Sequence, residues 1–244
     1  MSRIFVTGDT HGGSVGDLNK LNSKKFPIGK TLTKNEYVIV AGDFGCVWSA
    51  EGSKGHKHDL YTQNWLHEKP WTTLFIDGNH ENHDMLAKLE EVKMFGDVVG
   101  KVNDSIYHLK RGRVYNINGK SIFTMGGAES LDKENRTLGI SYWKEEVPSY
   151  KEMDLALENL GLANWKVDYV ITHNCPNRVG MRFITEHNAQ GLYNTKISDP
   201  TATFLDHLYI DRDLQYKKWF YGHWHKDWQY DDFRLVYQNV VELE

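Results

Sequence analysis

The chain reads as an α/β protein, and two observations predict it. Three short apolar runs each end in a cluster of Gly with Asp, Asn or His, and stretches with helical spacing of apolar residues separate them. The resulting β-α-β-α-β order is the pattern of strands whose sheet faces are covered by helices. Length adds a bound: 244 residues stay under the roughly 250 to 300 at which a single core stops growing, so one domain over residues 1–244 is expected.

The first run, residues 3–7, is a buried strand leading into Gly8-Asp9-Thr10-His11-Gly12. Residues 37–41 lead into Gly42-Asp43-Phe44-Gly45, and residues 72–76 into Asp77-Gly78-Asn79-His80-Glu81. Between them, 15–25 and 58–68 have helical spacing, and Asn82 is placed to cap a helix over 82–91. Residues 105–125 are expected to hold two or three strands with a hairpin turn at 116–120. Beyond that come an amphipathic helix at 149–160, a strand at 167–172 ending at His173, and a helix at 201–209. A strand at 217–221 ends at Gly222-His223, and 228–243 reads as strands with a turn at Asp231-Asp232. Two irregular stretches, 44–57 and 128–148, follow motif strands or sheet ends; segments of this kind in a compact domain tend to be functional, so both are expected to line a site.

Lys plus Arg total 29 against 33 Asp plus Glu, a net charge of −4, so the basic excess of a general polyanion binder is missing and extended nucleic-acid binding is not expected. No run of about 18 apolar residues exists and the first residues lack the features of a signal peptide, which predicts a cytoplasmic protein without a membrane partner. Two cysteines, Cys46 and Cys175, make neither a disulfide framework nor a zinc-ligand spacing, and are read as small buried hydrophobes.

The residues just past the strand ends carry the chemistry: Asp9, His11, Asp43, Asn79, His80, His173, His223 and His225. In open α/β sheets the crevice outside the carboxyl ends of the strands is where ligands bind, so these positions are expected to converge. A mixed set of oxygen and imidazole donors suits two borderline divalent ions such as Mn, Fe, Co or Zn better than Ca or Mg, which take oxygen.

As a set, Gly8-Asp9-Thr10-His11-Gly12, Gly42-Asp43, Gly78-Asn79-His80-Glu81, Thr172-His173 and Gly222-His223-Trp224-His225 resemble the calcineurin-like metallophosphoesterase superfamily, in the family's order over residues 8 to 225. The resemblance implies a four-layer α/β sandwich of two mixed β-sheets flanked by helices, a binuclear metal centre, and hydrolysis of phosphate mono- or diesters. It implies Asp9, His11 and His225 as ligands of one ion, Asn79, His173 and His223 as ligands of the other, and Asp43 as the bridge. Manganese is the first expectation, with Fe, Zn, Ni or Co as alternatives. A hydroxide bridging the metals would attack the phosphorus while His80, the general acid, protonates the departing oxygen.

The departures also inform. Phosphoprotein phosphatases of the superfamily carry Gly-Asp-x-x-Asp-Arg-Gly at the second motif, where this chain has Cys46 and Val47, so a protein-serine/threonine phosphatase role is not expected. Another cation should grip phosphate; Arg136, Arg178 and Arg182 follow motif segments, with Arg136 and Arg178 taken as the substrate contacts. The substrate is expected to be a phosphate ester, small molecule or nucleotide. A nuclease or cyclic-nucleotide phosphodiesterase is the alternative, for which the closing Gly-His-x-His and the aromatics Trp48, Tyr142, Trp143, Trp224 and Trp228 speak. A non-catalytic scaffold is the third reading. The remaining histidines, His56, His58, His67, His83, His108, His187 and His207, are read as surface or helix residues, and Glu90-Glu91 and Glu145-Glu146 as solvated faces.

Overall fold

The computed structural model describes residues 2–130, 132–187 and 199–244, apart from the side chains of 14–16. Leu131, within the expected site-lining stretch, lies outside the described residues. Strands β1 (Ile4–Thr7), β2 (Tyr37–Ala41), β3 (Thr72–Ile76), β4 (Glu90–Met94), β5 (Asp97–Asn103) and β6 (Ile106–Leu109) lie in one sheet. The second sheet holds β7 (Arg113–Ile117), β8 (Lys120–Met125), β9 (Tyr169–Thr172), β10 (Lys218–Tyr221), β11 (Trp228–Tyr230) and β12 (Phe233–Leu235), while β13 (Val241–Glu242) returns to the edge of the first. The orders are β13-β1-β2-β3-β6-β5-β4 and β11-β12-β10-β9-β8-β7. Both sheets are mixed: β1, β2, β3 and β6 run parallel, as do β8, β9, β10 and β12, with antiparallel strands outside them.

Alternation along each strand builds the layers, because successive side chains point to opposite faces. Ile4, Val6, Ile39, Ala41, Leu74 and Ile76 pack with Ile122, Tyr169, Ile171 and Phe220 in a core between the two sheets. Their neighbours Phe5, Val38, Val40 and Phe75 face outward into a second core beneath Leu18, Leu21 and Leu66. On the far side, Phe123, Val170, Trp219 and Tyr221 form a third core with Leu160, Phe183 and Leu205. Three cores between four layers make the expected sandwich.

The helices depart from the sequence reading in places. Residues 15–25 are expected as a helix, and the chain forms a 3₁₀ helix over His11–Leu21. Helix α1 spans His56–His67. The helix expected over 82–91 is a single turn, α2 (His83–Leu86), capped by Asn82 accepting from Met85 N–H; the chain then turns into β4. Helix α3 (Tyr150–Leu162) opens with a capping box between Ser149 and Glu152. Helix α4 (Asn177–Glu186) is not among the expected elements, although Val179, Phe183 and Ile184 bury one of its faces, and α5 (Pro200–Asp206) sits where 201–209 is expected. Both sheets send the carboxyl ends of their parallel strands to one edge, where the motif loops meet.

Candidate metal centre

Asp9 and His11 leave β1, Asp43 leaves β2, Asn79 and His80 leave β3, His173 leaves β9, and His223 and His225 leave β10. The first sheet thus supplies the oxygen donors, His11 and His80, and the second His173, His223 and His225. The loops approach so closely that a Cβ on Gly42 would run into the His173 ring and one on Gly78 into Asp43. Asp9, His11, Asp43, His223 and His225 all hold positive φ, at 31°, 46°, 49°, 71° and 48°, a region non-glycine residues seldom enter.

One donor atom from each of Asp9, His11, Asp43 and His225 lies within 4.8 Å of the others. The imidazoles are fixed in one tautomer from behind. His11 Nδ1–H donates to Asp17 Oδ2 at 2.8 Å, and His173 Nδ1–H to the Ala41 carbonyl at 2.9 Å. Each Nε2 then points inward, His11 at Asp43 Oδ2 (3.3 Å) and His173 at Asp43 Oδ1 (3.2 Å) and Asn79 Oδ1 (3.1 Å). Asp43 Oδ2 is buried and receives no hydrogen bond. Imidazole nitrogens and a carboxamide oxygen gathered around a buried carboxylate call for positive charge between them, from protons or from metal, so the donor set fits divalent ions.

The titration behaviour says the same. Burial works against charging His11 and His173, yet Asp43, helped by Asp9, overcomes it and pushes them up to about 9 and about 10. Asp43 itself, despite its burial, is held well below the usual carboxylate range by His173 and His11. His223 goes the other way: burial and the neighbouring His173 lower it to about 3, leaving a neutral ring with a lone pair to offer.

Around Asp9, His11 and His225, the Tyr237 ring stacks on His225 at 5.0 Å and its hydroxyl donates to Asp17 Oδ1 at 2.8 Å. Lys20, fully buried, donates to the carbonyls of Gly8, Asp9 and Tyr237. Around Asn79, His173 and His223, Asn79 Nδ2 donates to Ser130 Oγ at 3.0 Å, and Ser130 N–H donates to Glu146 Oε2 at 3.2 Å. Glu81 accepts from Phe44 and Gly45 N–H at 2.6 and 3.1 Å, tying the Asp43 loop down; burial, with Asp43 adding to it, raises its carboxyl to about 8.

His80 stands beside the cluster, its backbone N–H donating to Asp43 Oδ1 at 2.8 Å. Arg136 brings its two terminal nitrogens to 3.2 and 3.3 Å from His80 Nδ1 and Nε2. The guanidinium is held in place by an ion pair from Nε to Asp132 at 2.8 Å and by donation to the Ser141 carbonyl at 3.3 Å. Burial and then the charge of Arg136 lower the His80 imidazole, while Asp43 pulls it upward.

Arg136 thus reaches the site from the 128–148 stretch. Arg178 lies in the first turn of α4, where its backbone N–H donates to Asp206. Cys46 and Val47 pack in the outer core of the first sheet. His83 and His108, read as surface or helix residues, are buried, with His108 Nε2 3.1 Å from Asp77, because Asp77 and Arg111 make a polar pocket inside the sandwich. Glu146, read as part of a solvated face, is buried for its contact with Ser130. Asp17, Lys20, Ser130 and Tyr237 were missed; no local motif marks them, whereas Glu81 stood inside a quoted one.

Fold and donor set define a class, an α/β sandwich with a carboxylate and imidazole cluster able to hold metal at its strand ends. The calcineurin-like phosphoesterase family matches residues 2–227, and the chain belongs to that family. It is a phosphoesterase hydrolase, and its family is typically dependent on two metal ions. A solved structure, phosphopantetheinyl hydrolase from Mycobacterium tuberculosis, is 13% identical over 96% of this chain and 87% of that one, with a TM-score of 0.40. No curated protein matches the chain significantly. Among the described residues no helix is long and apolar enough to cross a membrane.

Proposed function

We propose that the chain hydrolyses phosphate mono- or diesters at a two-ion centre, the whole chain acting as one catalytic domain. What carries the reading is Asp43: a buried carboxylate, one oxygen without a hydrogen bond, flanked by two imidazole Nε2 atoms whose Nδ1–H groups are committed elsewhere. Asp9, His11 and His225 would hold one ion, Asn79, His173 and His223 the other, and Asp43 both. When bound, two divalent transition ions, Mn or one of Fe, Co, Ni and Zn, supply an activated water and an electrostatic clamp on the phosphoryl oxygens.

The chain's own groups do the rest. Asp17 and the Ala41 carbonyl keep His11 and His173 in the ligating tautomer. Arg136 grips the phosphoryl oxygens bidentately, taking the place of the arginine that the second motif lacks. His80, fixed through its backbone to Asp43, delivers a proton from its ring to the leaving oxygen. The test is hydrolysis of p-nitrophenyl phosphate against bis(p-nitrophenyl) phosphate by chelator-stripped protein given Mn, Fe, Zn, Ni, Co or no metal. Ion-dependent turnover is expected, and preference for the diester points to nucleotides or nucleic acids as substrates. Silence with every ion overturns the reading and leaves a binding scaffold.

A further inference from the structure

A cleft of about 350 Å³ opens beside His11 and His80 and continues along Trp48, Ser49, His58 and Asp59 over a floor of three glycines. Its size lies at the lower end of sites for small ligands, about 300 to 1,000 Å³. One end is bounded by the ring we assign to protonating the leaving oxygen, so the group attached to that oxygen is the part of the substrate that faces this space.

The walls are rigid. Trp48 N–H donates to Asp59 Oδ2 at 3.1 Å and its carbonyl accepts from Asn82 Nδ2 at 2.6 Å. Its ring meets Trp143 edge-on at 5.5 Å and 88°, and Trp143 is anchored by Nε1–H donation to Asp84 at 3.0 Å. His58 is pinned by its Nε2 contact with the Gly12 carbonyl at 2.7 Å. The charge of the lining is equally specific. Among the described residues it includes no lysine or arginine, and Asp59, 4% exposed, spends Oδ2 on two backbone N–H groups. Away from His11 and His80, a second anion on the substrate would find no lysine or arginine and a carboxylate nearby, a pairing that costs affinity. Arg136, the cation of the site, lies against His80 and outside this lining.

We propose that this cleft holds the leaving group of the ester and selects an uncharged, planar alcohol up to the size of one nucleoside, with Trp48 as its stacking platform. The assignment rests on the phosphoesterase reading above and names the substrate class within it.

The test uses manganese-loaded protein and three non-hydrolysable probes in calorimetry: methylphosphonate, phenylphosphonate and 4-phosphonobenzoate. Phenylphosphonate is expected to bind about tenfold tighter than methylphosphonate, the worth of one ring stacked on an aromatic side chain. The added carboxylate of 4-phosphonobenzoate should cancel that gain. Trp48→Ala should remove the phenyl advantage, and Trp48→Phe, which keeps a ring at the position, should retain most of it. Equal binding of methyl- and phenylphosphonate by a protein that hydrolyses phosphoesters would overturn the leaving-group assignment alone, as would a phenyl advantage that survives in Trp48→Ala. Failure of every phosphonate to bind would overturn it together with the reading on which it rests.

Discussion

Asp9, His11 and His225 are propped by two side chains, Asp17 just six residues past His11 and Tyr237 from far along the chain, whereas His173 leans on the Ala41 backbone carbonyl. Exposure differs in the same sense: the His225 side chain is 46% exposed and His11 15%, while His173 is fully buried. Asp43 serves both sides. The comparison teaches that the imidazoles of one half are tuned by side-chain contacts near solvent, whereas in the other His173 is set by a backbone carbonyl and Asn79 by the buried Ser130. An ion in the first half should therefore leave first when a chelator is titrated in, and the two halves should respond separately to substitution.

The largest expected effect removes the distinction altogether. Asp43→Asn takes the shared charge from both halves, so turnover should vanish and both steps of a metal-binding isotherm should weaken; near wild-type turnover would sink the two-ion assignment. Next comes His80→Ala, which removes a ligand from neither half. Rates on alkyl phosphates should fall about 10²- to 10⁴-fold with metal affinity unchanged, and nitrophenyl esters, whose leaving groups need no acid, should suffer far less. An equal loss on both substrate types would remove His80 from the acid role.

Smaller effects sharpen the comparison. Asp17→Asn keeps an acceptor for His11 Nδ1–H and deletes the charge behind it. One of the two binding steps should weaken about 10- to 100-fold, the usual cost of an outer-shell partner, and the other should hold. If both steps shift together, the halves are not independent. Tyr237→Phe, which retains the stack on His225 and loses only the hydroxyl contact with Asp17, should change the same step a few-fold, measured by the same calorimetry.

The strand-end positions were readable because each sits in a short local pattern, an apolar run followed by Gly and a polar donor, and because parallel strands bring their carboxyl ends together. Asn79 and His173 meet for that reason across 94 residues of chain. Supporting residues carry no such pattern: Tyr237 and Asp17 touch over 220 residues, and only the fold reports it. The hairpin of β4 and β5 was hidden for another reason. Glu90, Glu91 and Lys93 are exposed on an edge strand, so its sequence reads as the tail of a polar helix once Asn82 has supplied a start signal. For Arg178 nearness to His173 in sequence says less, since a turn carries the chain from β9 into α4 before it.

The positive φ angles of Asp9, His11, Asp43, His223 and His225 set a limit on how this protein can be improved. Non-glycine residues in that region carry strain of order 1–3 kcal/mol each, least for Asp. Glycine at those positions would release it and discard a donor in the same substitution. Directed evolution that rewards heat resistance alone would therefore erode the centre loop by loop, and any programme seeking a hardier enzyme must hold these five codons fixed while it searches elsewhere.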